Sequence, residues 1–264
     1  MKTAVLAILT LALATPVYAD LTLKQTVSGK GMGFSGTSRG VTYIKGNRMR
    51  SDVQSGDKTQ TTIFDLDAQK LHMFDSKKKE ADVWDMSAFA SEISKSVDTS
   101  QMKVSLTPNG QTKTIAGQSA TGYDLQISMP AAMAGSTDLA MTVTLSGPTW
   151  IVKGAPGTQD YLQFYKAAAE KGWILSDPRA AKASPGQARV MTEMYKQLAE
   201  AGGIAYSTDM QIKMSASGGN NPLGGLLARI GNVSTSTAVD GVETTPLDDA
   251  LFAPPAGYKL NPKK

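Results

Sequence analysis

The chain contains no cysteine. Disulfides, thiolate metal sites and lipid attachment through a leading cysteine are therefore excluded, and packing alone must hold the fold. A single histidine, His72, rules out a zinc centre built on two or more imidazoles and leaves no recognisable Ser-His-Asp spacing. The formal net charge of +4 is too small to mark a nucleic-acid binder. Long apolar runs are also missing. Beyond the N-terminus every hydrophobic stretch is broken within a few residues by Lys, Asp, Gly or Ser, short of the roughly 20 residues that a spanning helix needs.

The N-terminus is different. Lys2 precedes the apolar runs Ala4-Val5-Leu6-Ala7-Ile8-Leu9 and Leu11-Ala12-Leu13, followed by the helix breaker Pro16 and by Val17-Tyr18-Ala19. This pattern predicts a signal peptide over 1–19, cleaved after Ala19, with Asp20 as the mature N-terminus and the periplasm as destination. No transmembrane segment is expected after cleavage.

Alternation with a period of two dominates the rest. Ile204, Tyr206, Thr208, Met210, Ile212 and Met214 alternate with Ala205, Ser207, Asp209, Gln211, Lys213 and Ser215. Such a pattern predicts a half-buried antiparallel strand. The same phase recurs in Tyr123, Leu125, Ile127 and Met129 and in Leu139, Met141, Val143 and Leu145. Shorter strands are expected at 21–28, 39–45, 48–54, 60–66, 70–75, 102–107, 112–116, 149–153 and 232–240. Hairpin reversals are expected at Lys45-Gly46-Asn47, Ser55-Gly56-Asp57, Leu66-Asp67-Ala68, Pro108-Asn109-Gly110 and Ser146-Gly147-Pro148.

Helical spacing is confined to two places. Met86, Phe89, Ala90 and Ile93 predict a short helix over 86–95. A larger pair lies between 158 and 202. Thr158 is the expected N-cap and Gly172 the stop of the first, while Val190, Met191, Met194, Tyr195 and Leu198 form the face of the second, ended by Gly202-Gly203. A loop with Pro178 and Pro185 is expected between them. The fold class is mainly β (α+β): a strongly curved antiparallel sheet or half-open barrel of about eleven or twelve strands, covered by two or three helices. No repeat or linker divides it, so 20–264 reads as one domain with a helical insertion around 154–203. Ser217 to Pro222 with Gly224-Gly225 predicts a mobile loop.

Chemistry-bearing residues are sparse. His72 alternates with Leu71 and Met73 and reads as an ordinary strand residue. Asp65 with Asp67, and Asp248 with Asp249, fall where strands end and read as turn residues, because the ligand-dense spacing of a calcium loop is missing. Gly29-Lys30-Gly31-Met32-Gly33 has no helix after it to cradle a phosphate and reads as a bend or bulge. Between Leu21 and Ser51, Lys24, Lys30, Arg39, Lys45, Arg48 and Arg50 stand without an acidic residue. That strip suits either an anionic partner or a strand edge blunted by charge. Met73, Met129, Met141, Met210 and Met214 fall on the apolar phase of strands. They can line a surface for variable apolar ligands or fill an irregular core.

Several ordered motifs carry a resemblance. They are Tyr43-Ile44-Lys45-Gly46-Asn47-Arg48-Met49-Arg50; Thr62-Ile63-Phe64-Asp65 with Lys70-Leu71-His72-Met73-Phe74-Asp75; Ile115-Ala116-Gly117 with Gly122-Tyr123; Trp150-Ile151-Val152 to Gly157, then Tyr161 and Phe164; and Pro246-Leu247 to Phe252-Ala253-Pro254-Pro255-Ala256-Gly257-Tyr258. In this order the chain resembles a family of bacterial periplasmic proteins of unknown function whose fold is similar to that of the outer-membrane lipoprotein carrier. The resemblance implies a bent sheet with a helical lid over an apolar concavity and no catalytic residues. The expected function is a non-enzymatic periplasmic carrier or binding protein for lipid or another amphiphile. Its hydrophobic lining would come from Met73, Leu125, Ile127, Met129, Met141, Val143, Tyr206, Met210, Ile212 and Met214, with Arg48 and Arg50 as candidates for a headgroup. The alternative is a cell-envelope interaction module whose partner is a protein. No cofactor, metal or nucleic acid is implied by either.

Overall fold

The computed structural model describes residues 20–31, 34–96, 100–133, 136–216 and 233–263. The expected signal peptide and the Ser217 to Gly225 loop lie outside the described residues.

Along the first half, alternating sequence builds a meander of six strands: β1 (Leu21–Gly31), β2 (Phe34–Lys45), β3 (Arg48–Ser55), β4 (Lys58–Asp65), β5 (Lys70–Asp75) and β6 (Glu80–Asp85). Gly46 and Gly56 take the positive φ that their two-residue turns demand. Asp65 closes the next turn by accepting from the Asp67 and Ala68 amides, which bears out the turn reading. Helix α1 (Met86–Lys95) follows, capped by the Asp85 carboxylate on the Ala88 amide.

In the second half, β7 (Lys103–Ile115), β8 (Gln118–Met133) and β9 (Ser136–Val152) lead into helices α2 (Thr158–Glu170), α3 (Pro178–Ala183) and α4 (Pro185–Ala201). They are followed by β10 (Ile204–Ala216), β11 (Val233–Glu243), a 3₁₀ turn (Asp249–Phe252) and β12 (Lys259–Pro262). Two expected reversals are in fact strand interior. Pro108 to Thr112 is a register shift within β7, and β9 runs straight through Gly147-Pro148. Glycine at 147 lets the backbone of β10 approach, since a Cβ there would lie 1.8 Å from the Asp209 carbonyl oxygen. The Pro178 segment is a helix rather than a loop, because proline at the first helical position keeps the chain in helical φ and removes an amide that has no partner there. The residue that leads into α2 is Gly157 at φ +72°, not Thr158. Neither β6 nor β12 was expected.

The twelve described strands form one open sheet in the order β12-β6-β5-β4-β3-β2-β1-β11-β10-β9-β8-β7, antiparallel except where β12 joins β6. The first strand, β1, joins the halves by pairing with both β2 and β11. Alternation gives the sheet two different faces. Leu21, Ile44, Met49, Phe64, Leu71 and Trp84, opposite one another on successive strands, meet Tyr161, Phe164 and Tyr165 of α2 in the main core. On the reverse face Ile63, Phe74 and Ala81 are covered by Phe252, with Leu247, Leu251 and Tyr258 around it. The molecule is thus layered as helices, sheet and a C-terminal strap.

Candidate functional site

On β7 to β11 the apolar phase forms continuous cross-strand ranks. Val104 faces Ile127, Ile127 faces Leu145, Leu145 faces Ile212 and Ile212 faces Val233. The adjacent rank is Met129, Val143 and Met214. Helix α4 lies over part of this face, because Val190, Met194 and Leu198 recur every fourth residue and so share one stripe. Val190 packs with Leu125, Ile127 and Met210, which are at most 5% exposed. The face continues past the helix, however. Val104, Met129, Val143, Leu145, Ile212, Met214 and Val233 all remain half-buried, a run of seven apolar side chains on one sheet face.

The expected lining is therefore divided by the structure. Met73 and Tyr206 belong to the packed core beneath α2, among side chains such as Phe164 and Leu71 that have no exposure. Met73 Sδ also accepts from the Arg179 guanidinium at 3.1 Å. Leu125, Ile127 and Met210 form the floor under α4, and Met141 is buried on β9. Met129, Val143, Ile212 and Met214 make up the half-open part. Sequence reasoning overlooked Val104, Val233 and Met194 as members of this surface and left Leu145 out of the lining. The alternation signal was present for Leu145 and Val104, but which strands neighbour one another was not.

Arg48 and Arg50 are not brought to this surface. They flank Met49, which points into the core, so both project from the reverse face. Arg48 donates to Asp249 Oδ1 at 2.6 Å and lies 5.1 Å from the Phe252 ring centre; Arg50 donates to Asp52 and to the Leu251 carbonyl. Lys45 donates to the Leu247 carbonyl and pairs with Asp249, and Lys24 pairs with Glu243. Lys45, Arg48 and Arg50, half of the basic strip, are therefore an intramolecular seat for the strap. The hydrogen bond from Arg48, and then that from Lys45, holds the Asp249 carboxyl below the usual carboxylate range. Asp248 caps the 3₁₀ turn by accepting from the Ala250 amide.

His72 shares that reverse face, opposite Ile63 and Val83. Burial lowers its pKa, and its Nδ1 has no hydrogen-bond partner among the described residues. Among the described residues no three His, Asp or Glu side chains are grouped to hold a metal ion.

Several surface grooves among the described residues involve the second half. One of about 380 Å³ lies between the start of β7 and α4, lined by Met102, Lys103, Val104, Arg189, Val190 and Glu193. A second of about 380 Å³ runs between α2 and α4 and shares Arg189 and Glu193. A third of about 320 Å³ crosses β2, β1, β11 and β10, with a polar lining that includes Ser28, Thr37, Asp209 and Ser236.

No protein-family model matches the sequence, and no curated protein is significantly similar to it. Solved structures similar to the chain include a LolA-superfamily protein and a DUF1329-family protein. An uncharacterised conserved protein from Thermus thermophilus is 10% identical, over 94% of this chain and 92% of its own, with a TM-score of 0.41. A putative outer-membrane lipoprotein-sorting protein domain from Vibrio parahaemolyticus is 10% identical, over 90% of both chains, with a TM-score of 0.34. A LolA-superfamily protein from Nitrosomonas europaea is 10% identical, over 90% of this chain and 91% of its own, with a TM-score of 0.28. Overlaps this loose say nothing of this chain's chemistry, which rests on its own residues.

Proposed function

We propose that the protein is a non-enzymatic periplasmic binding or carrier protein for an amphiphile, exported by cleavage after Ala19 and folded as one domain over 20–264. The observation that carries this reading is the half-buried apolar face of β7 to β11. A sheet face finished by its own helices would bury Ile212, Leu145 and Met214 as fully as it buries Ile127. Each methylene of an acyl chain laid across that face contributes about 0.8 kcal/mol by leaving water, and the methionines there adapt to chains of different shape. The ligand lies along an open trough rather than inside a closed chamber, because Met73, Tyr206 and the side chains under α2 fill the interior.

Native mass spectrometry of protein released gently from the periplasm tests this. Lipid adducts are expected on the wild type and are expected to be lost in Ile212→Ser/Met214→Ser. Clean apoprotein that also fails to bind added amphiphile overturns the reading and favours a protein-interaction module. That second reading has its own support: β7 is a sheet edge, and its neighbouring groove offers both charge and apolar contact.

A further inference from the structure

The groove between β7 and α4 is continuous with the trough. Val104 lines the groove and also begins the rank that runs through Ile127, Leu145 and Ile212 to Val233. Val190, the apolar wall on the α4 side, packs on Leu125, Ile127 and Met210 of the same face. The groove carries two cations, Lys103 and Arg189, against one carboxylate, Glu193, and that carboxylate is paired with Lys196 at 3.7 Å. Neither Lys103 nor Arg189 forms an ion pair with any described carboxylate. This contrasts with the basic strip on the reverse face, where Lys24, Lys45, Arg48 and Arg50 each have an acidic partner. Arg189 is also half-buried and lines two grooves at once. A guanidinium at this position presents a planar fork suited to a carboxylate or phosphate.

We propose that the groove between β7 and α4 receives the anionic head of an amphiphile whose chain lies on the apolar face of β7 to β11, with Arg189 as the principal contact and Lys103 as the second. The proposal deepens the carrier reading and rests on it. It assigns ligand charge as well as ligand shape: a carboxylate or phosphate head is favoured over a neutral head on the same chain. Free phosphate has the charge but lacks the apolar portion, so it does not compete. The volume of about 380 Å³ falls in the range of small-molecule sites.

The test compares oleate with monoolein, two ligands with one acyl chain and different heads, by displacement of a neutral fluorescent probe from the full mature chain, with inorganic phosphate as a third competitor. Oleate is expected to bind more tightly than monoolein, and phosphate is expected to have no effect. Arg189→Ala is expected to weaken oleate about tenfold, the loss of one charge-assisted hydrogen bond, while leaving monoolein unchanged. Arg189→Lys, which keeps the charge without the fork, is expected to recover part of the loss, and Lys103→Ala to cause a smaller loss. Should the alanine at 189 impair folding, the loss of oleate affinity in Lys103→Ala and in Arg189→Lys relative to the wild type, with monoolein unchanged, carries the test. Equal binding of oleate and monoolein, with no effect of either cation, overturns the headgroup site and leaves the trough intact. Failure of both ligands to bind the wild type overturns the trough and the headgroup site together.

Discussion

At the scale of single residues, the same side-chain types serve different ends according to strand face. Met73 and Met214 share an apolar phase in the sequence, yet one is 3% exposed in the core and the other is half-buried at the trough. Truncation separates them. Leu71→Ala, at a site with no exposure, is expected to cost about 2–5 kcal/mol in a denaturant titration. Met214→Ala is expected to cost far less stability and to weaken amphiphile binding instead. His72 supplies a pH signature. Its pKa is lowered from 6.5 chiefly by burial, so the fold favours the neutral ring. Above 6.5 both states are neutral and stability is independent of this group. As the pH falls through that value the unfolded chain binds the proton first, and stability declines until the lower folded pKa is reached. Because His72 is the only histidine, His72→Gln is expected to flatten the pH dependence of the urea midpoint between about pH 7 and 5. An unchanged slope would show that the ring titrates alike in both states.

At the scale of elements, the entry to α2 and the C-terminal strap are the most sharply determined. Gly157 takes φ +72°, and a Cβ there would lie 2.6 Å from Leu21 Cδ1. Gly157→Ala combines backbone strain with a core clash, and a loss of roughly 1–3 kcal/mol is expected from thermal unfolding. The strap is held by Arg48, Lys45 and Arg50 and by the burial of Phe252 on Ile63 and Phe74. Since the Asp249 carboxyl is held below its ordinary 3.8, its contribution is complete above that value and is lost as the pH falls through the lower folded pKa. Arg48→Ala is expected to speed amide exchange over 247–252 near neutral pH while leaving β8 and β9 unchanged. Uniform acceleration across the sheet would mean that the strap is not a separable element.

At the scale of the whole molecule, β1 ties the two halves together through pairings as distant in sequence as Thr22 with Glu243. Trp84 from the first half and Trp150 and Trp173 from the second share one core cluster. Unfolding is therefore expected to be a single cooperative transition in which tryptophan fluorescence and far-UV circular dichroism coincide. Refolding is expected in milliseconds to seconds because so many pairings are non-local. Two separated transitions would show that the halves are independent domains.

What the sequence determined by itself was local. Alternation and turn residues marked segments of ten of the twelve described strands, with β7 and β9 each read as two; glycine and aspartate marked the turns at Gly46, Gly56 and Asp65, and the apolar stripe of α4 was legible before any contact was known. Strand interiors and reversals were confused at Pro108 to Gly110 and at Gly147-Pro148, because the same residue types serve a bulge, a close backbone approach and a turn. Alternation also states that Met49 and Arg48 point to opposite sides without saying which side is covered. Only the tertiary structure decided that Lys45, Arg48 and Arg50 seat the strap, that Met73 and Tyr206 are core, and that the apolar ranks of β7 to β11 outrun their helix. The physical reason is that burial depends on which strands become neighbours and how far a helix reaches, and both are set by contacts between residues far apart in the chain.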